Sequence, residues 1–130
     1  MIFGIGCDIV QVKRFSSWVS KPELLKRFFS EEELYNQKDL KNISDQRLWE
    51  YYAVRFAAKE AFSKALGTGL KGFSLRELCV KKEKNGRPFL CVKGNAKKLL
   101  EEMCSENICV HLSLSHEKEY AIAYVIIETF

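Results

Sequence analysis

Residues 44–67 read SDQRLWEYYAVRFAAKEAFSKALG, and the fold follows from how this stretch is read. Ser44 is a good N-cap, because its hydroxyl can accept a hydrogen bond from a first-turn amide. Gly67 supplies the stop, since glycine readily takes the left-handed conformation that ends helices. Between them the pattern predicts one long helix, roughly Asp45 to Leu66. Alanines at 57, 58, 61 and 65 slim that helix so that a neighbour can pack tightly against it. Three-to-four spacing places Phe56, Glu60 and Lys64 on one stripe and Arg55 with Lys59 on the next.

Upstream, Ile2–Val10 alternates Ile5, Cys7 and Ile9 against Gly4, Gly6 and Asp8, which is strand periodicity. Short helices are predicted over Gln11–Val19 and, after Pro22, over Glu23–Phe29. Ser30 to Glu33 has the form of a capping box opening another short helix. Downstream, Leu78–Lys84 and Arg87–Lys93 flank Asn85-Gly86, a strong hairpin signal. Asn95 is expected to cap a helix running to about Ser105. Two further strands follow, Ile108–Ser115 and Tyr120–Glu128. The expected fold is α+β, a mainly antiparallel sheet packed with one long helix and several short ones, in a single domain over residues 1–130.

Composition narrows the function. A chain of 130 residues, 47% apolar and with two prolines, can build a core and is not a disordered linker. Its net charge of +4 is mild, but the distribution is not. Residues 55–98 hold twelve Lys/Arg against three Asp/Glu, a cationic block suited to an anionic ligand or partner. The five cysteines form no CxxC pattern and read as free thiols in a reducing cytoplasm. The apolar start lacks a basic n-region and contains Asp8, so no signal peptide is expected. No apolar run approaches the roughly 20 residues of a membrane span.

Four features carry candidate chemistry. Asp8 lies near the end of a glycine-rich apolar strand and must be paired, capped or metal-bound, because burying a lone carboxylate is costly. Glu60 and Lys64 form either an ordinary surface pair or part of a site. Were Glu60 to meet Asp8, the two acids would repel unless a cation lay between them, and Mg²⁺ favours such oxygen ligands. Gly67-Thr68-Gly69 is either a helix stop or a turn presenting amides to phosphate. His116 follows a strand at a turn, whereas His111 lies mid-strand and reads as structural.

Taken together, these pieces resemble the holo-acyl-carrier-protein synthase family, the small bacterial class of 4′-phosphopantetheinyl transferases. Three landmarks stand in family order: Gly4-Ile-Gly-Cys-Asp8-Ile9 with Arg14, then Phe56 through Ala65, then Ser113-Leu-Ser115-His116. Cys7 replaces the aliphatic residue expected between Gly6 and Asp8. The resemblance implies the 4′-phosphopantetheinyl transferase fold. It also implies transfer of 4′-phosphopantetheine from coenzyme A to a serine of an acyl carrier protein, in support of fatty acid biosynthesis. By similarity, Asp8 and Glu60 hold Mg²⁺ and Lys64 binds a diphosphate oxygen. Lys59 and His116 contact coenzyme A phosphates, with Arg55 assisting. Gly67, Thr68 and Gly69 stand at a family turn, and Arg87 with Pro88 approaches the adenosine end. The catalytic set implied is Asp8, Glu60, Lys64 and His116.

The implied partner is an acidic acyl carrier protein. Arg14, Lys21, Lys26 and Arg27 would steer it, and Trp18 and Phe28 would anchor it. The family also implies a homotrimer with sites at subunit interfaces. Two other classes compete: a nucleic-acid-binding module and a coenzyme A or nucleotide sensor. The first needs stacking aromatics among the cations, yet residues 71–98 offer only Phe73 and Phe89 and leave Asp8 and Glu60 unexplained. The sensor would have lost a reactive residue, and none is missing.

Overall fold

The computed structural model describes residues 1–105 and 107–130. Strand β1 (Ile2–Gln11) leads through a 3-10 turn, Val12–Arg14, into α1 (Phe15–Trp18) and α2 (Pro22–Phe28). A second 3-10 turn, Glu31–Glu33, precedes α3 (Gln37–Leu40) and the long α4 (Asp45–Leu66). A third, Leu75–Glu77, opens the hairpin of β2 (Leu78–Lys82) and β3 (Pro88–Val92). Helix α5 (Gly94–Cys104) and strands β4 (Ile108–His116) and β5 (Tyr120–Thr129) complete the chain.

The α+β expectation holds. β1, β5 and β4 form a three-stranded antiparallel sheet with β5 in the centre, and β2 pairs with β3 in a separate antiparallel ribbon. α4 lies across the inner face of the larger sheet. Its Ala57, Ala58, Ala61 and Phe62 are buried with Ala121, Ala123, Val125 and Ile127 of β5. The predicted ends of α4 are both present. The Ser44 hydroxyl accepts from the Arg47 amide at 3.3 Å, and Gly67 sits at φ +86° with its amide donating to the Ser63 carbonyl.

Other predicted boundaries move. The Gln11–Val19 helix is a 3-10 turn followed by one α turn, and the Ser30 capping box opens only a 3-10 turn. α5 begins at Gly94 rather than after Asn95, whose backbone amide donates to the Glu77 carboxylate. Glu77 therefore supplies from a neighbouring turn the acceptor that the Asn95 side chain was expected to provide. All five cysteines are free thiols. Among the described residues, no helix is long and apolar enough to cross a membrane.

The approach of β1 to α4 is as close as backbones allow. A Cβ built on Gly4 would lie 1.9 Å from the Ala65 carbonyl oxygen. One on Gly6 would lie 1.9 Å from the Ala61 carbonyl oxygen and 2.6 Å from the Ala65 amide nitrogen. No side chain can relieve those contacts, because both partners are helix backbone. Gly6→Ala should therefore cost at least about 3 kcal/mol of stability, read as a drop in the urea midpoint. A loss below about 1 kcal/mol would mean that β1 and α4 separate easily.

Candidate active site

Gly4 and Gly6 set the strand on the helix, and the next residue on that face is Asp8. The same close approach brings Asp8 to the Glu60–Lys64 stripe. Lys64 Nζ donates to the Cys7 carbonyl at 2.9 Å and to Asp8 Oδ1 at 3.0 Å. Asp8 caps no helix, so of its two bland readings the ion pair is the one realised. That pair satisfies only half of the carboxylate. Asp8 Oδ2 is buried and, among the described residues, has no hydrogen-bond partner.

Glu60 lies close enough to feel it. Burial pushes the Glu60 carboxyl above its ordinary range and the neighbouring Asp8 charge pushes it further, against the pull of Lys64 and Arg14. An orphaned carboxylate oxygen beside a second, repelled carboxylate is a donor set that a hard divalent cation would satisfy. Among the described residues, no group of three or more His, Cys, Asp or Glu side chains is arranged to hold a metal. A cation held here would have only this pair as carboxylate ligands, with the remaining positions left to water and ligand oxygens.

A second feature lies on the other flank of α4. An open cleft of about 1000 Å³ runs between the α4 side chains Arg47, Glu50, Tyr51 and Arg55, the hairpin tip at Gly86 and Pro88, and His116 at the end of β4. His116 Nδ1 is 3.9 Å from Glu50 Oε1. The Arg55 guanidinium stacks 3.5 Å from the Tyr51 ring centroid, and its buried Nε has no hydrogen-bond partner among the described residues. Arg55 and Glu60, five residues apart, point about 140° apart around the helix. His116 and Asp8 belong to the two edge strands, separated by β5 and so by about 10 Å of strand spacing. Within one chain, then, Asp8, Glu60 and Lys64 form one group, and Arg55, Pro88 and His116 another.

The structure corrects the expectation for Lys59. Its side chain is fully buried and paired with the Glu33 carboxylate, and its ammonium donates to the carbonyls of Phe28, Leu75 and Leu78 at 2.9, 3.1 and 2.8 Å. Burial pushes the ammonium pKa down, and Glu33 opposes that shift. With its donors committed to protein acceptors, Lys59 has none to offer a coenzyme A phosphate. Trp18 is a second correction. It is buried between Phe15, Phe28 and Phe56, with ring centroids 4.7 to 5.3 Å away, and cannot anchor a partner. Phe28 is half-buried in the same cluster. The Arg14 guanidinium lies 5.2 Å over Phe56 and 5.3 Å over Trp18, and Arg14, Lys21, Lys26 and Arg27 are exposed.

Gly67, Thr68 and Gly69 form a turn beyond α4, with glycine φ values of +86° and +64°, and Arg87 is exposed at the hairpin tip. Neither lines the cleft. Sequence reasoning missed Glu33, Glu50 and Tyr51. Glu33 carried a capping signal, which is satisfied, since its carboxylate accepts from the Ser30 amide at 3.0 Å. Nothing in the sequence marks its longer-range pairing with Lys59.

Both the sequence and the fold of this chain match known proteins. A sequence profile of the 4′-phosphopantetheinyl transferase superfamily matches residues 4–125, and the chain belongs to that superfamily. Among its relatives, the holo-[acyl-carrier-protein] synthase of Treponema denticola is 49% identical over 128 residues, covering 98% of this chain and 99% of that protein. The crystal structure of the Neisseria meningitidis holo-[acyl-carrier-protein] synthase superposes with a TM-score of 0.83 at 35% identity, covering 99% of this chain and 100% of that one. The Bacillus anthracis holo-(acyl-carrier-protein) synthase, crystallised in complex with CoA (3′,5′-ADP), superposes with a TM-score of 0.78 at 37% identity over 100% of this chain and 99% of that one.

The two lysines of α4 should part company under mutation. Lys59→Ala leaves Glu33 buried without its cation and should cost about 3–5 kcal/mol in denaturant unfolding. Lys64→Ala removes a half-exposed ion pair and should cost about 1 kcal/mol or less. Equal losses would contradict the placement of Lys59 in the core.

Proposed function

We propose that this chain transfers the 4′-phosphopantetheine group of coenzyme A to a serine hydroxyl of an apo-acyl carrier protein, in an Mg²⁺-dependent reaction supporting fatty acid biosynthesis. The serine oxygen displaces adenosine 3′,5′-bisphosphate at the pantetheine-side phosphorus. One P–O bond forms, the P–O bond to the bridging oxygen breaks, and the serine loses its proton. The observation that carries the reading is the buried, unpartnered Asp8 Oδ2 beside Glu60, in a chain whose relatives are holo-acyl-carrier-protein synthases.

Asp8 and Glu60 would hold Mg²⁺. When bound, the cation neutralises diphosphate charge and fixes the oxygens for in-line displacement. Lys64, half-exposed beside Asp8, is suited to bind a diphosphate oxygen and steady the charge left on the bisphosphate. Arg55 and His116 would contact the phosphates of the adenosine half, with Pro88 along its flank. Arg87 and the turn at Gly67, Thr68 and Gly69 would approach from the rim. Arg14, Lys21, Lys26 and Arg27 would guide an acidic carrier protein toward the Asp8 side.

The separation of the two groups around α4 favours a site completed by a neighbouring copy. One chain's Asp8, Glu60 and Lys64 would face another's Arg55 and His116, in a homotrimer. The outer face of the three-stranded sheet supports such an assembly. Ile5 and Ile9 of β1 are each 60% exposed there, beside Tyr120 and Tyr124 of β5. An apolar face of this kind is suited to burial against another copy. The free thiols fit a cytoplasmic setting.

Glu60→Gln keeps the side chain's size and removes its charge. Turnover with saturating coenzyme A and Mg²⁺ should fall by about 100-fold or more, the equivalent of losing several kcal/mol of charge stabilisation. Unchanged Mg²⁺-dependent turnover would remove Glu60 from the site.

A further inference from the structure

The cleft contains a hydroxyl whose role the reaction does not explain. Tyr51 could hold the Arg55 guanidinium on its ring as a phenylalanine would, yet its hydroxyl donates to the Glu33 carbonyl at 2.6 Å. We propose that Tyr51 is a positioning residue for Arg55, pinned from behind by the buried Lys59–Glu33 pair. The inference rests on the reading of the cleft as the coenzyme A site and deepens it, by naming what fixes its guanidinium.

The pinning runs through consecutive contacts. Lys59 holds the Glu33 carboxylate, which also accepts from the Ser30 amide and, through Oε2, from the Val80 amide at 3.0 Å each. The 3-10 turn carrying Glu33 is thereby tied at once to α4 and to β2. Its carbonyl oxygen is a fixed acceptor, and the Tyr51 hydroxyl reaches it. Burial pushes the Tyr51 phenol up to about 12, so it remains a donor at working pH. Tyr35 packs edge-on against the same ring at 4.6 Å, and its amide donates to the Tyr52 hydroxyl at 3.0 Å. The Tyr51 ring is thus held at its tip and along one side.

Arg55 takes its placement from that ring. The guanidinium stacks 3.5 Å from the ring centroid, and Nη1 donates to the Tyr51 carbonyl at 3.2 Å. Stacking of this kind fixes the plane of a guanidinium while leaving its in-plane donors free. The guanidinium lines the cleft, where its terminal donors not spent on the Tyr51 carbonyl can meet a ligand. Lys59 therefore serves the cleft from the core, through Glu33 and Tyr51, without touching a ligand itself.

The test is a double-mutant cycle on coenzyme A binding, measured by calorimetry with Mg²⁺ present and the full chain in each case. Tyr51→Phe keeps the ring and removes only the hydroxyl, so it should fold even where Lys59 variants do not. It should weaken coenzyme A binding about fivefold, and Arg55→Ala should weaken it roughly thirtyfold. In the Arg55→Ala background, Tyr51→Phe should have no further effect, because nothing remains to position. In steady-state assays, Tyr51→Phe should raise KM for coenzyme A while leaving KM for the carrier protein unchanged. The same weakening by Tyr51→Phe in both backgrounds, or none in the native one, would overturn the positioning role while leaving the cleft assignment in place. No loss with Arg55→Ala would overturn the placement of coenzyme A in the cleft, and this inference with it.

Discussion

The contact between β1 and α4 is the constraint on which the rest depends. Helix and strand meet with no side chain between them at Gly4 and Gly6, and the alanines at 61 and 65 present backbone rather than bulk. Because strand side chains alternate faces, the residue after Gly6 on that face is Asp8. Because helix side chains recur every three to four residues, Glu60 and Lys64 flank the same crossing. The acids are brought together by the closeness of two backbones, and burial together with the Asp8 charge pushes the Glu60 carboxyl above its ordinary range.

Most of this crossing was legible in the sequence, because each signal in it is local. Ser44 and Gly67 delimit α4, alternation marks β1, and the glycine and alanine spacing implies close packing. Gly67 and Gly69, by contrast, have open space where a Cβ would go, and their positive φ values serve the turn after α4. What could not be read was the pairing of residues far apart in the chain. Lys59 sits on a stripe beside Arg55 and looks equally available, until Glu33, 26 residues earlier, claims it. Trp18 lies on a basic helical segment and looks like an anchor, but Phe15, Phe28 and Phe56 enclose it. Helical periodicity gives the angle of a side chain around its axis, and only tertiary packing decides whether that angle faces water.

The cationic block of residues 55–98 also changes meaning. Its charges include a buried structural cation at Lys59, a half-exposed partner of Asp8 at Lys64 and a stacked guanidinium at Arg55. Lys59 has no donor left for an anion, whereas Arg55 and Lys64 lie on two flanks of one helix.

Intact mass spectrometry of an apo-acyl carrier protein incubated with this protein, coenzyme A and Mg²⁺ reads the group transfer itself. A mass gain equal to one phosphopantetheine group on the carrier serine is expected, matched by release of adenosine 3′,5′-bisphosphate. A competent carrier protein left unmodified, with coenzyme A bound but intact, would contradict it.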